Sequence, residues 1–293
     1  MNTQTMQSRS RPKPPPFAGS PVRQASPLPD GVDITVRHPR FDLARDRKHW
    51  MDGDPLMSRV VDALSMFFPD GEKFFIDSVV RFRNEITDPE LKKQISAFAG
   101  QEAAHTAEHR KYNVHAAGNF APKAEYVAAF LLGIARRFGS RRRQLAVTVA
   151  LEHLTATLAD IILNDPETAA RMDAEHRKLL LWHAAEETEH KSVAFDVYNA
   201  TGGGFLRRTV LMIGATGFLV AATTGVAAVL LWRDGELLRL RNFSSLYNLF
   251  FGSPGLIRKG AREYLRYFRR DFEPWGHDNS ALLAAWKNQY AKA

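Results

Sequence analysis

The chain has 293 residues, enough for one large domain or two small ones, and its 45% hydrophobic and 25% charged residues are ordinary for a globular protein. It contains no cysteine, which excludes disulfide bonds, thiolate metal sites, iron–sulfur clusters and cysteine nucleophiles. The formal net charge is +8, but the basic residues are scattered and no nucleic-acid module is recognisable, so we expect no nucleic-acid partner.

The N-terminal segment differs in composition from the rest of the chain. Met1 to Pro29 holds seven of the fifteen prolines and has no apolar run. This composition is typical of a disordered tail and not of a secretory signal. We assign residues 1–30 to this tail, 31–200 to a helical domain, 201–260 to an apolar helical segment and 261–293 to basic C-terminal helices.

From Asp54 onward nearly every segment has a helical period. We expect Pro69-Asp70-Gly71 to end a first helix and Asp70 to cap a second, which runs to about Asn84. Asp88-Pro89 predicts the start of another helix, with Asp88 as its cap. The further predicted helices are Pro122–Phe138, Ser140–Asn164 and Asp173–Asn199. Strand signals are nearly absent, so the predicted fold class is all-α, with a four-helix bundle and extra helices.

Thr209–Trp232 is a segment of 24 residues without a charge. About 20 apolar residues cross a bilayer, and basic residues and a tryptophan flank this segment. We therefore predict a membrane helix and a lipid partner. The alternative is a long helix buried within the bundle, which its many Gly, Ala and Thr residues would permit.

The charges beside this segment predict its topology. Arg207-Arg208 favours the cytoplasmic side. A second uncharged stretch, Asn242–Ile257, is too short for an ordinary span and is interrupted by glycine and proline. The two stretches could thus form a re-entrant or interfacial hairpin. The predicted location is membrane-associated with the metal-binding domain on the cytoplasmic side, and the alternative is cytoplasmic.

Two Glu-x-x-His motifs lie on separate predicted helices. They are Glu102 with His105 and Glu187 with His190. Residues at i and i+3 share one helix face, so each motif offers a carboxylate and an imidazole to one point. One such pair is a common coincidence. Two pairs are typical of dinuclear carboxylate bundles, which add one glutamate from each of two further helices.

The chain supplies those two further glutamates in the expected order. Glu72 lies near the start of the helix before the first motif, and Glu152 lies within the apolar helix before the second. A buried carboxylate is costly unless it is paired or binds a metal. Taken alone, Glu72 could be a solvated first-turn acid and Glu152 could be half exposed. The joint pattern predicts a dinuclear site with these metal ligands: Glu72, Glu102, His105, Glu152, Glu187 and His190.

Other polar side chains extend the two motif faces. His183 shares the stripe of Glu187, and His109 shares that of Glu102; each could be a ligand, a hydrogen-bond partner of a ligand or a surface residue. The remaining acids divide into two groups. We expect Glu108, Glu186 and Glu189 to be solvated or to surround the ligands. Asp160 and Asp196 are candidates to hydrogen-bond the far nitrogen of a ligating histidine.

At these motifs the sequence resembles a known bacterial family, the "predicted metal-dependent hydrolases" of the ferritin-like superfamily. The matching stretches are Phe68–Phe75, Gln101–His105, Leu151–His153 and Trp182–Lys191. The spacing of His183, Glu187 and His190 is also similar to that of p-aminobenzoate N-oxygenase-type di-iron enzymes. The resemblance implies that the six residues are ligands and that His183 is a seventh.

Cysteine-free carboxylate and histidine sites suit two Fe ions, with Mn or a mixed Mn/Fe pair as possibilities. Our leading hypothesis is an oxidoreductase that activates O2 toward an apolar small-molecule substrate and needs an electron donor. The alternatives are a metal-dependent hydrolase that uses metal-activated water, and a non-catalytic metal-binding membrane protein. The sequence contains no nucleophile elbow that would indicate covalent hydrolysis.

Overall fold

The computed structural model describes residues 25–290, and these residues contain twelve α-helices and no β-strand. The all-α prediction is therefore confirmed, whereas residues 1–24 of the predicted tail lie outside the described range. The helices are α1 (Pro55–Ser65), α2 (Phe68–Val80), α3 (Pro89–Ala117), α4 (Ala121–Phe138), α5 (Arg141–Leu163), α6 (Pro166–Ala170), α7 (Ala174–His190), α8 (Val193–Ala200), α9 (Phe205–Arg233), α10 (Arg241–Phe250), α11 (Leu256–Arg266) and α12 (Ser280–Tyr290).

Short polar side chains cap several of these helices. Asp88 accepts a hydrogen bond from the backbone N–H of Glu90 at 2.9 Å, as predicted, and Pro89 occupies the first turn of α3. Ser140 accepts from the N–H of Arg143 at 3.3 Å and so begins α5. Each cap satisfies an N–H that has no partner within the helix, which fixes where the helix starts.

Two predicted boundaries are wrong. Asp70 does not cap α2, because the helix already begins at Phe68 and Pro69 lies in its first turn, where the missing N–H of proline costs nothing. The predicted helix 173–199 is also interrupted, since α7 ends at His190 and α8 begins at Val193. The interruption coincides with Lys191, whose ammonium group donates to the carbonyl of His277 at 2.8 Å.

Four helices pack around a common interior. α2 packs on α3 and α5, and α7 packs on α5 and α3. Apolar residues of three of these helices form one buried cluster that includes Phe74 of α2, Ile95 and Phe98 of α3, and Leu145 and Val149 of α5. Because the same four helices carry the two Glu-x-x-His motifs and the two further glutamates, this packing decides whether those side chains meet.

The uncharged segment lies within α9, which packs on α5 and α1. By length and composition, α9 and α5 are both able to cross a membrane. Half of the most apolar window of α5 is buried, as in a core helix, whereas only 17% of that window of α9 is buried. Met212 and Ala215 of α9 share the core cluster of α5, so this helix is continuous with the rest of the fold.

The described end of the predicted tail is attached to the helices. The backbone N–H of Ala25 donates to Asp88 at 2.8 Å, and that of Ser26 donates to Asp196 at 2.9 Å. Further along, Arg37 reaches into the interior and donates to Glu189 at 2.7 Å. The segment before α1 is thus held to the helical core by hydrogen bonds at several points.

Candidate metal centre

The six side chains predicted as ligands lie together in the interior, and none is more than 4% exposed. α2 supplies Glu72 and α5 supplies Glu152, while α3 and α7 each supply one Glu-x-x-His motif. The ring centres of the two motif histidines, His105 and His190, are 6.1 Å apart. The packing of the four helices therefore brings every one of these residues to one buried region.

Glu102 occupies the middle of this cluster. Its Oε1 lies 3.3 Å from Nε2 of His190, and its Oε2 lies 3.8 Å from Nδ1 of His105. Glu187 is also close to both rings, since its Oε1 is 3.6 Å from each of the same two nitrogens. The two motif carboxylates thus lie between the two imidazoles, a position from which a carboxylate can contact two cations.

Donor atoms converge in groups of three. Within each group, one atom per residue lies within 4.8 Å of the others. The groups are Glu102–Glu152–His190, Glu72–Glu102–His105, His105–His183–Glu187 and Glu72–His109–His183. The first two groups share Glu102, so the residues present can surround two neighbouring points.

The donor atoms of this cluster lack hydrogen-bond partners. Among the residues that the structure describes, fourteen buried side-chain polar atoms have none, and eight of the fourteen belong to the six predicted ligands. These eight atoms are Glu72 Oε1, both carboxylate oxygens of Glu102 and of Glu152, Glu187 Oε2, His105 Nδ1 and His190 Nε2. Buried polar atoms are rarely left without a partner, so this donor set fits bound cations.

Neighbouring residues orient both motif histidines. Nε2 of His105 lies 3.1 Å from Glu186 Oε2, and Nδ1 of His190 lies 2.9 Å from Gln101 Oε1. Each ring nitrogen that faces away from the cluster therefore meets an oxygen acceptor, which places its proton there and leaves the other nitrogen free to bind a metal. Gln101 was not among the predicted site residues; its position directly before Glu102 was the only signal in the sequence.

The structure decides between the alternatives for the surrounding acids. Glu186 and Glu189 are fully buried and not solvated: Glu186 contacts the ring of His105, and Arg37 forms ion pairs with both acids. Asp160 accepts from His277 and Asn279, and Asp196 accepts from Ser26. These two aspartates do not orient the motif histidines, since Glu186 and Gln101 occupy those positions.

Glu108 lies at the edge of the site and its side chain pairs with the exposed Lys111 at 2.6 Å. This contact directs the carboxylate away from the cluster. Glu108 was expected to be solvated or to surround the ligands; it is only 9% exposed, and its carboxylate pairs with Lys111.

His183 and His109 belong to a directed chain of hydrogen bonds. Asn113 donates its amide N–H to Glu125, so its Oδ1 accepts from the hydroxyl of Ser65 at 2.6 Å. The Ser65 oxygen must then accept from Nδ1 of His109 at 2.8 Å. Each neutral imidazole has one donor and one acceptor nitrogen.

The direction of these hydrogen bonds determines which nitrogen of His183 carries the proton. Nε2 of a neutral His109 accepts, so Nδ1 of His183 donates to it at 2.7 Å. Nε2 of His183 is then unprotonated, although it lies 2.9 Å from Glu187 Oε1. Two acceptor atoms at this distance repel unless a proton or a metal cation lies between them.

The buried carboxylates have altered pKa values. Burial raises the pKa of Glu72 and of Glu102 well above the usual range, and nearby carboxylates add to this. Burial also raises the pKa of Glu152 to about 7. Burial lowers the pKa of His190, but Glu187 and Glu152 outweigh it and bring that pKa to about 10. The cluster therefore has an excess of carboxylates, which divalent cations neutralise.

An apolar cavity of about 120 Å³ adjoins the cluster. Glu187 and His183 form part of its wall, and nearly all of the other lining side chains are apolar, among them Met57, Phe68 and Leu180. Its wall also includes Leu249 of α10, Leu256 of α11, and Pro254 from the segment between these two helices. A small apolar molecule in this cavity would contact the edge of the cluster.

Comparison with known proteins gives the family. Residues 35–278 match the family described as "predicted metal-dependent hydrolase". The chain belongs to this family. No curated protein and no solved structure matches it. Membership in the metal-dependent hydrolase family agrees with the motifs in the sequence, and the ferritin-like placement stays a prediction.

Proposed function

We propose that the chain is a metal-dependent hydrolase with a dinuclear centre. The observation that carries the proposal is the convergence of buried donor atoms without hydrogen-bond partners: seven of the eight belong to the two groups that share Glu102, and the eighth belongs to Glu187. Glu102, Glu152 and His190 would hold one ion, and Glu72, Glu102 and His105 would hold the other. Glu187 lies between the motif histidines and would contact both ions.

His183 is our proposed seventh ligand, beside His105 and Glu187. The hydrogen-bond chain through His109 and Ser65 directs the unprotonated Nε2 of His183 toward Glu187. A metal ion at this point would relieve the repulsion between the two acceptor atoms. The all-nitrogen-and-oxygen ligand set favours Fe or Mn over structural Zn.

We propose an apolar ester as the substrate class. When bound, two ions would activate water and polarise the substrate carbonyl. Water adds to the carbonyl carbon, the bond from that carbon to the alkoxy oxygen breaks, and the departing oxygen takes up a proton, which yields an acid and an alcohol. The chain supplies the orientation, since the apolar cavity would bind the substrate chain and Glu187 and His183 mark the end at which the ester must lie.

An O2-activating oxidoreductase is the second candidate function. The observation that favours it is the full burial of the cluster beside an apolar cavity, because such surroundings exclude the bulk water that would quench a reactive oxidant. The same residues would hold the ions, and an external electron donor would be required.

One experiment separates the two candidates. Purified protein is analysed for metal, loaded anaerobically with Fe(II) or with Mn(II), and assayed in parallel with a series of chromogenic esters and with dissolved O2. Hydrolysis that rises with acyl-chain length and requires metal supports the hydrolase. O2 uptake with an optical transient, and no ester turnover on either metal, overturns it in favour of the oxidoreductase.

We also propose that the chain associates with membranes, with its metal centre on the cytoplasmic side. The support is the length and apolar composition of α9 together with its low burial. Fractionation of expressing cells tests this proposal: recovery of the chain in the membrane pellet supports it, and full recovery in the supernatant contradicts it.

A further inference from the structure

α9 cannot cross a bilayer while it keeps its contacts with the other helices. It packs on α5 through Met212 and Ala215, and Val226 and Leu230 lie in a cluster with Ala63 of α1. The helices around it carry exposed charges, including 141–143 of α5. Charged side chains are costly in the hydrocarbon layer. Only the outward stripe of α9 is therefore available to lipid.

α10 exposes several apolar side chains and buries two polar ones, unlike a typical helix on the surface of a soluble protein. It buries Asn242 and Ser245, while Phe243 is 72% exposed and Tyr247 is 64% exposed. Leu238 and Leu240, just before α10, are 92% and 82% exposed. Water-facing helices normally have the opposite pattern, so this face is suited to an apolar medium.

Basic residues surround this apolar face. Residues 233–262 contain six Lys or Arg residues and two Asp or Glu residues. Asp234 pairs with the buried Arg59, and Glu236 pairs with Arg241, so both acids are already neutralised. Arg233 and Arg258 are exposed beside the apolar residues. An apolar face with a basic border complements an anionic lipid surface.

We propose that this face binds an anionic lipid bilayer and inserts into one leaflet. The lipid-binding face consists of the exposed apolar side chains within residues 237–251, with Phe243, Leu246 and Tyr247 of α10 at its centre. Trp232 at the end of α9, 70% exposed, extends it along the outward stripe of that helix. The protein is then attached to one side of the membrane, and none of the helices among residues 25–290 spans it.

α10 also connects the lipid-binding face with the cavity. Leu249 is buried on the opposite side of the same helix and forms part of the cavity wall, next to Pro254 and Leu256. Insertion of α10 would place the cavity beside the bilayer interior. On the proposed function, an apolar substrate dissolved in the membrane would then reach Glu187 and His183 without passing through water.

A vesicle flotation assay with the full-length protein tests the proposal. The probes are neutral phosphatidylcholine vesicles and vesicles that also contain phosphatidylglycerol. We expect binding to the anionic vesicles and, for the Phe243→Ser/Leu246→Ser variant, a roughly 30-fold lower partition constant, since two apolar side chains no longer insert. The matched control is Val114→Ser/Phe138→Ser, which removes two exposed apolar side chains from α3 and α4.

Several outcomes overturn the proposal. One is unchanged vesicle binding by the α10 variant, and another is an equal loss in the control. A third is a change from dimer to monomer in the α10 variant without a change in vesicle binding, because the face would then contact a second copy. None of these readouts uses activity, so their failure leaves the proposed hydrolase untouched.

The cysteine-free sequence offers a direct test of one-sided attachment. Leu206→Cys and Arg233→Cys place single thiols before and after the apolar part of α9, both at exposed positions outside residues 237–251. In sealed membranes, we expect a membrane-impermeant maleimide to label both thiols from the cytoplasmic side only. Labelling of the two thiols from opposite sides would mean that α9 spans the membrane.

Discussion

The side-chain oxygen of Gln101 lies 2.9 Å from Nδ1 of His190. The orientation of the Gln101 amide is settled by its nitrogen, which donates to Glu189 at 2.7 Å and to the carbonyl of Thr35 at 3.0 Å. His190 therefore donates from Nδ1, and its Nε2 is the nitrogen that faces Glu102 and Glu152. A residue outside the ligand set thus decides which nitrogen can bind a metal.

Replacing Gln101 should weaken metal binding without removing a ligand. We expect Gln101→Leu to reduce metal affinity roughly 10- to 100-fold, because His190 loses the acceptor that orients its ring. Competition titration with a chromophoric chelator measures the affinity. Gln94→Leu is the matched control, since Gln94 is a buried glutamine on the same helix outside the cluster. Equal affinities in the two folded variants would refute the orienting role.

Because Glu102 lies in the middle of the cluster, its replacement should remove more bound metal than the replacement of a residue at the periphery. We expect Glu102→Gln to lower the metal content from about two ions per chain to below one, and Glu152→Gln to remove about one ion. Elemental analysis of the purified variants gives the content. Glu108→Gln, on the same helix but paired with Lys111, should keep both ions. Full occupancy in Glu102→Gln would argue against a shared carboxylate.

Metal removal should destabilise the fold. Two sites saturated at about 100 times their dissociation constants would each contribute about 2.7 kcal/mol. For a chain of this size the loss corresponds to a Tm lower by about 10 °C after chelation. Calorimetry of the chelated and the reloaded protein measures the difference. A chelated protein with the Tm of the loaded form would mean that the carboxylate cluster needs no cation.

Arg37 should be essential for stability although it lies outside the cluster. Its guanidinium pairs with Glu186 and Glu189, both fully buried. We expect Arg37→Met to lower the free energy of unfolding by about 3 kcal/mol, because it leaves buried carboxylates without their main cation. Urea unfolding measures the free energy. The exposed Arg40 lies three residues away, and Arg40→Met should cost almost nothing; a similar loss in both variants would contradict the argument.

Asp196 should make stability depend on pH. Burial raises its pKa to about 7, and it shares the Ser26 hydroxyl with Glu273. The folded state therefore binds a proton that the unfolded state releases near pH 4, so the stabilisation is present at low pH and is lost as the pH rises through 7. Between about pH 5 and about pH 8, the free energy of unfolding should fall by about 3 kcal/mol more in the wild type than in Asp196→Asn.

Chemical denaturation at the two pH values measures this difference. Asp271→Asn is the control, because Asp271 is exposed and Arg269 holds its pKa below the usual range, so it does not titrate in this interval. If Asp196→Asn shows the same pH dependence as the wild type, another group carries the effect.

Some helix caps could be predicted from the sequence, whereas the burial of the acids around the metal site could not. Caps such as Asp88 were readable because they act within a few residues of the chain. Asp70 was misread as a cap because proline and glycine are tolerated in a first turn when packing favours the helix. The burial of Glu186 and Glu189 was not predicted, because their partner Arg37 lies about 150 residues away along the chain.

The sequence by itself determined that Glu102 with His105, and Glu187 with His190, share a helix face, because helix geometry relates positions i and i+3 whatever the surroundings. It also excluded thiolate chemistry. Only the tertiary structure decided that four helices bring these faces together, that Gln101 and Glu186 orient the histidines, and that α9 packs along α5 and α1. Those features depend on contacts between distant segments, and a local period specifies which face is apolar but not what covers it.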